Sequence, residues 1–425
     1  MSTQSRGWLL WWCGVTLVPV SGIVMSVNTR RCVGFWPVDI VTHHRCVGFT
    51  PTIVWLLWLL AFALMTGGMF RLERARLASI VMAQFLAGIA FVLTPTMPTA
   101  DAYQYHVYGA TAANWNPWRP TRLVSDRPAI VSGLRIWGNP PAPSPYGPVL
   151  VVAERGLLDA FPGLSADQLI YVERCVGLLA VIAVTLLLRG ARISWWALHP
   201  LVLFEFALAA HCDVLMLLLV AVSLRTRNAV LAGIAIGFSA MVKIVGLGAS
   251  AFRWGTIVSA VATVVAILAF FPAAATLAPQ AQAAIGFSGS PALVLAVLLK
   301  ACHAPQPDAI ARIAIVIAGA LAAMVVRTGR RDAPFYATLL LIGCSTWILP
   351  WYLTWVLLAA RFAHRRTAVA AAVIASASLI LEAGNQVAAR AELAAALIFL
   401  TTVVISLRSA WRSGAAPRTI VASRN

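Results

Sequence analysis

Charge is what this chain has least of. Charged side chains make up 11% of its 425 residues, and Asp and Glu together number 14. Lysine is nearly absent: Lys243 and Lys300 stand against 30 arginines. Cysteine is sparse too, with seven residues at 13, 32, 46, 175, 212, 302 and 344 and no Cys-x-x-Cys spacing. These absences exclude a zinc ribbon, a thioredoxin-type redox motif and a His-Glu-x-x-His metalloenzyme. Most cysteines fall in or beside apolar runs and read as small core residues, while Cys32 and Cys46 are far enough from the runs to pair or to stay free. The shortage of polar residues also excludes a soluble domain. Hydrophobic residues make up 61% of the chain and mean hydropathy is +0.85, more apolar surface than one soluble core can hide. The expected class is all-α, a polytopic integral membrane protein whose environment is the lipid bilayer.

What is present in abundance is arginine, and the net charge is +18. In a soluble protein that excess would suggest nucleic acid. Here the arginines lie between apolar runs, which is the pattern of loops held on the cytoplasmic side, so no nucleic-acid partner is expected. Apolar runs cover about 7–27, 51–70, 77–94, 168–188, 195–224, 228–252, 255–272, 309–326, 334–360, 367–384 and 392–407. At about 20 residues per span, these lengths predict roughly 11 to 14 transmembrane helices. The first run is too long for a signal-peptide core and reads as retained. Placing the arginine clusters around 71–76, 189–192, 225–227, 327–331, 361–366 and 408–424 in the cytoplasm puts both termini inside and residues 95–148 outside. Residues 28–50 carry Arg30, Arg31 and Arg45 on the outer side, against that rule. Arg-Cys-Val-Gly-Phe occurs at 31–35 and 45–49 and is echoed at Arg174–Gly177, with no regular period.

The passage 95–148 is the polar exception. It gathers Asp101, Tyr103, Tyr105, His106, Tyr108, Trp115 and Trp118 within a few turns of chain, followed by Arg119, Arg122, Arg127 and Arg135. Asp101 at a membrane boundary among aromatics suits a general base; it equally suits a helix N-cap. The aromatics fit either a sugar-binding wall or an interfacial belt. Arg119 and Arg122 have no topological reason to be outside, and guanidinium groups bind phosphate oxygens. Three further polar interruptions fall on the same side. His211-Cys212-Asp213 breaks an apolar run that also holds Glu205, either at a cavity or at a hairpin tip. Lys243 lies near an outer turn, either snorkelling or facing an anion such as a lipid phosphate. Pro350-Trp351-Tyr352 opens an aromatic turn that ends at Trp355.

These motifs resemble the polytopic GT-C glycosyltransferases that use polyprenyl-phosphate sugars. They are most similar to the polyprenol-phosphate-mannose-dependent α-mannosyltransferases of bacterial envelopes. The residues that carry the likeness are Asp101-Ala-Tyr103-Gln-Tyr105, Gly109, Asn116-Pro117-Trp118, Ser144–Pro148, His199-Pro200, His211-Cys212-Asp213, Val242-Lys243 and Pro350–Trp355. They span about 77–360. Two additional N-terminal spans precede the acid, and His199-Pro200 and Cys212 depart from the family's usual Asn-Pro and His-Asn-Asp.

The resemblance implies a hexosyltransferase, with mannose the expected sugar, acting at the outer face of a bacterial inner membrane. The donor would be a polyprenyl-phosphate-linked sugar and the acceptor an envelope glycan or lipid. Asp101 would be the catalytic base. Lys243, Arg119 and Arg122 would hold the donor phosphate. Tyr103, Tyr105, Asn116, Trp118, Tyr146, His211, Asp213, Trp351 and Tyr352 would contact sugar or acceptor. No cofactor and no metal are implied. The expected organisation is an N-terminal transmembrane hairpin at 1–76, a catalytic membrane core at 77–360 with its outer loop at 95–148, and C-terminal helices with a short basic tail at 361–425. The alternatives are a secondary transporter, which would use a midplane charge such as Lys243, and a polymerase or ligase acting on lipid-linked glycans.

Overall fold

A computed structural model of the chain describes residues 2–28, 49–95, 101–111, 117–118, 121–190, 192–252, 254–272, 274, 299–300, 332–343, 350–387, 398–399 and 401–408, with isolated positions between 302 and 324. Every regular element among the described residues is helical. The helices are α1 Thr3–Asn28, α2 Phe49–Arg71, α3 Leu77–Val92, α4 Asp101–Thr111, α5 Pro128–Trp137, α6 Pro148–Ala160, α7 Ala166–Leu187, α8 Ile193–Ala197, α9 Pro200–Leu203, α10 Asp213–Arg225, α11 Ala229–Val242, α12 Ile257–Phe270, α13 Ala333–Gly343, α14 Leu353–Ala360 and α15 Arg365–Val387.

Local sequence explains several boundaries. Pro128 and Pro148 open α5 and α6, where the missing N–H costs nothing. Ser165 and Gln168 close a reciprocal capping box at the start of α7. Asn228 caps α11 by accepting from the N–H groups of Val230 and Leu231. The passage 95–148 is not a simple loop, since it contains α4 and α5. The apolar stretch 195–224 is likewise broken. α9 runs into a π-helical turn, Phe204–Leu208, and the chain then bends by 119° into α10. Ala210 takes a left-handed φ of 59° inside that bend.

Two helices are long and apolar enough to cross a membrane, Ile53–Arg71 within α2 and Ala166–Leu187. The bent pair Pro200–Leu208 and Asp213–Arg225 makes a third if it is one broken span. Four shorter apolar helices are Leu77–Val92, Ala229–Val242, Ile257–Phe270 and Pro350–Ala360. These counts concern the described residues only. Several of these helices expose apolar faces, as at Leu56, Met82, Leu179, Val258 and Val265.

Segments distant in sequence pack together. Trp11 donates its indole N–H to the Leu198 carbonyl at 2.8 Å, and Thr66 on α2 bonds Ser376 on α15 at 2.7 Å. His199 ties α9 to α15, with Nε2 3.0 Å from the Ala372 carbonyl. Between helices in lipid, close packing and such bonds replace the hydrophobic drive. Gly233 and Gly237 on α11 form a small-residue stripe, and a Cβ at either would strike α12 at Ser259 or Thr263.

The third copy of the Arg-Cys-Val-Gly motif has a structural part to play. Arg174 is buried and donates to the Val92 and Thr94 carbonyls at 3.1 and 2.8 Å, closing the end of α3. Gly177 leaves room for the Phe206 carbonyl of the π-helical turn. The first copy and most of the second, with Cys32, Cys46, Arg30, Arg31 and Arg45, lie outside the described residues, as does Cys344. Of the described cysteines only Cys212 is buried; Cys13, Cys175 and Cys302 are exposed and so do not fill the core as expected.

Candidate functional site

Helix geometry brings the site together. α10 and α11 have 13 and 14 residues and are joined by a short turn, so the start of one lies beside the end of the other. Asp213 opens α10 and Lys243 caps the end of α11. An acid at a helix N-terminus and a base at a helix C-terminus both suit the helix dipoles. The Lys243 Nζ lies 3.0 and 3.3 Å from the two Asp213 carboxylate oxygens. Aromatic faces surround the ammonium: Tyr352, Trp355 and Tyr146 have ring centroids 4.4, 5.4 and 5.5 Å away. Tyr352 and Trp355 stack on each other at 4.6 Å.

The end of the 95–148 passage is fastened to the same place. The Gly147 N–H donates to the Val242 carbonyl at 3.0 Å. A Cβ at Gly147 would collide with the Met241 backbone, so the approach requires glycine. Trp118 donates its indole N–H to the Tyr146 carbonyl at 2.9 Å and is almost fully buried. Its polar edge is spent on holding Tyr146.

Asp101 opens α4, as Asp213 opens α10. It sits at a helix start, where negative charge is favoured, and it faces a polar cluster. Its Oδ2 is 3.8 Å from Nδ1 of His211. The same Nδ1 is 3.3 Å from the Tyr105 hydroxyl, and Tyr146 donates its hydroxyl to that of Tyr105 at 3.4 Å. On the far side, His211 Nε2 is 3.3 Å from Oε2 of Glu205. The π-helical turn aims Glu205 inward, and the His211 N–H returns to the Glu205 carbonyl at 2.9 Å. Trp351 stacks on the His211 ring at 3.8 Å. Burial pushes the phenols of Tyr105 and Tyr146 well above their ordinary range, so both stay protonated donors at neutral pH.

Asp101 is the accessible member of this chain of groups. Its side chain is 19% exposed, against 1% for His211 and 4% for Glu205. The arrangement gives a partly exposed outer acid, backed by a buried imidazole and a second buried acid.

The structure thus brings together Asp101, Tyr105, Tyr146, His211, Asp213, Lys243, Trp351 and Tyr352. Tyr103 falls elsewhere: its hydroxyl donates to Asp167 at 2.6 Å, toward α7. Arg122 is exposed, and Asn116 and Arg119 lie outside the described residues. Glu205 and Trp355 join the site without having been assigned to it from sequence. Glu205 is an acid in an apolar run, the one signal that points to it. An open apolar groove lined by Trp8, Trp12, Met82 and Leu86 lies along the first half of α3 and is no part of this site, since Asp101 follows that helix's other end.

Among the described residues the scaffold is all-helical, with apolar helices of membrane-crossing length, and it holds an acid–histidine–acid row near an aromatic-caged ion pair. Residues 10–259 match the family model described as alpha-(1->6)-mannopyranosyltransferase, N-terminal domain, and the chain belongs to that family. It is therefore a glycosyltransferase, and the sugar of its family is mannose. The match takes in Asp101, Glu205, His211 and Lys243, and stops before Trp351. No curated protein and no solved structure matches the chain.

Proposed function

We propose that this protein is a multi-pass GT-C-type membrane enzyme that transfers mannose from a polyprenyl-phosphate donor to a glycan or lipid acceptor on the outer face, with inversion. Asp101 takes the proton of the acceptor hydroxyl as that oxygen attacks the anomeric carbon. The bond between the anomeric carbon and the phosphate oxygen breaks, and polyprenyl phosphate leaves as a stable anion. No general acid is required, unlike glycosidases, whose leaving group needs one. Partly exposed, Asp101 then returns its proton to water.

His211 and Tyr105 hold the carboxylate's surroundings fixed, and the stacked Trp351 ring orients the imidazole. An ammonium has three N–H donors. Asp213 takes two directions of the Lys243 ammonium, and the third serves the donor phosphate together with Arg119 or Arg122. Tyr146, Trp351 and Tyr352 supply faces for the sugar, and Trp118 supports Tyr146. The exposed apolar faces of α2, α3, α7 and α12 are what a lipid-embedded bundle presents, and would be a liability in water.

One observation carries this reading. Four segments distant in sequence converge so that the accessible member of the cluster is a carboxylate beside a caged cation. The test is transfer of labelled mannose by the detergent-purified chain from polyprenyl-phosphate mannose, with a nucleotide-linked mannose as the competing donor. The expected result is product from the lipid donor alone. Product from the nucleotide donor at an equal rate would overturn the donor assignment.

A further inference from the structure

The opposite face of α4 holds a second cluster that the transfer reaction does not use. His106 on α4, Glu154 on α6 and Glu173 on α7 each bring a ligand atom to within 4.8 Å of the others. His106 Nε2 is 2.8 Å from Oε1 of Glu173. The His106 side chain is fully buried, Glu154 is 7% exposed and the Glu173 side chain 9%. Oε2 of Glu154, Oε2 of Glu173 and Nδ1 of His106 are buried without a hydrogen-bond partner. Gly109 lets α4 close onto the Glu154 backbone of α6.

Two buried carboxylates side by side are costly unless a cation or a proton compensates them; Glu154 and Glu173 hydrogen-bond each other through a shared proton, which a bound cation would displace. Arg174 acts on Glu173 through space while its hydrogen bonds go to the Val92 and Thr94 carbonyls, and Arg155 pairs with Asp159 at 2.7 Å. An orphaned oxygen on each carboxylate points to an occupant that accepts lone pairs. Ligand atoms about 2.0–2.2 Å from one ion lie roughly 3 Å apart at right angles and at most about 4.2 Å apart. The His106–Glu173 spacing already fits the right-angle case. The widest spacing allowed by the 4.8 Å limit would have to close by at most about 0.6 Å. One imidazole with two carboxylates suits a divalent transition metal, whereas magnesium and calcium favour all-oxygen sets.

We propose that His106, Glu154 and Glu173 bind one divalent transition-metal ion that clamps α4, the helix that carries Asp101, onto α6 and α7. This rests on the geometry of the cluster and not on the transfer reaction, so either can fail alone. The ion is structural: it lies on the far face of α4 from Asp101.

The probe is Mn²⁺, which the exposed thiols Cys13, Cys175 and Cys302 bind weakly. The chelator-stripped full chain in detergent is titrated with Mn²⁺ and read by bound-metal analysis, by electron paramagnetic resonance and by thermal melting. The expected result is about one ion per chain with a raised melting temperature. Glu154→Gln and Glu173→Gln should each weaken binding by at least the 10- to 100-fold on the order seen for lesser perturbations of metal sites. Asp159→Asn, on the exposed end of α6, should bind as wild type does. Wild-type chain that takes up no Mn²⁺ and does not change its melting temperature overturns the proposal, whether or not the variants fold. Glu154→Gln that binds Mn²⁺ as tightly as wild type overturns it as well.

Discussion

The two faces of α4 are built from the same ingredients and differ in access. On one face an acid, a histidine and a second acid form a row, Asp101, His211 and Glu205, whose outer member is reachable. On the other face His106, Glu154 and Glu173 are shut away together. The first face lies beside a cation, Lys243, and a wall of aromatic rings; the second lies against helix backbone at Gly109. A carboxylate that must trade protons with a substrate needs a route to it. Two carboxylates that only face one another need a compensating charge. Access, more than composition, separates the face proposed to react from the buried cluster behind it.

The comparison can be broken in several places. The largest stability change is expected at the caged pair. Lys243→Met leaves Asp213, which is fully buried, without its counter-charge. Removing one partner of a buried pair costs about 3–5 kcal/mol. Combining it with Asp213→Asn should recover most of that loss in thermal or denaturant unfolding, because no charge then remains unpaired. If Lys243→Met alone melts like wild type, the pair is not the anchor of the reactive face. The smallest effect is expected at Tyr103→Phe, on the other face. It removes one partly buried hydrogen bond to Asp167, worth about 1.5–3 kcal/mol with a charged acceptor. Melting should fall by less than in Lys243→Met while transfer is retained. A loss of transfer in a folded Tyr103→Phe chain would show that the two faces are not separable.

Much of this arrangement is legible in the sequence because the polar interruptions are so few. In a chain this apolar, His211, Asp213, Lys243 and Pro350–Tyr352 stand out, and the arginine pattern sends them to the side where Asp101 is found. The helical class follows from composition alone. The partner of Lys243 was less visible. It depends on α10 and α11 having matched lengths, and the boundaries at Asp213 and Val242 are set by tertiary contacts more than by local signals. Tyr103 shows a simpler limit. Listing it with Tyr105 ignores the helical period, since Asp101 and Tyr105 share a face and Tyr103 lies nearly opposite. Glu205 enters the site only because a π-helical turn and the bend at Ala210 redirect it, and neither has a clear signature in sequence. Glu154 and Glu173 read as ordinary helix acids until α4, α6 and α7 are packed. Arg127, without a role in the sequence, fastens the start of α5 to α6 by bonding Asp159 at 3.3 Å and the Leu158 carbonyl at 3.4 Å.

The most direct measurement is single-turnover transfer by Asp101→Asn, with donor binding measured on the same folded protein. If Asp101 is the base, the rate falls by about 10²- to 10⁴-fold while donor affinity and melting temperature stay close to those of wild type. A folded Asp101→Asn chain that transfers mannose at the wild-type rate would contradict the account.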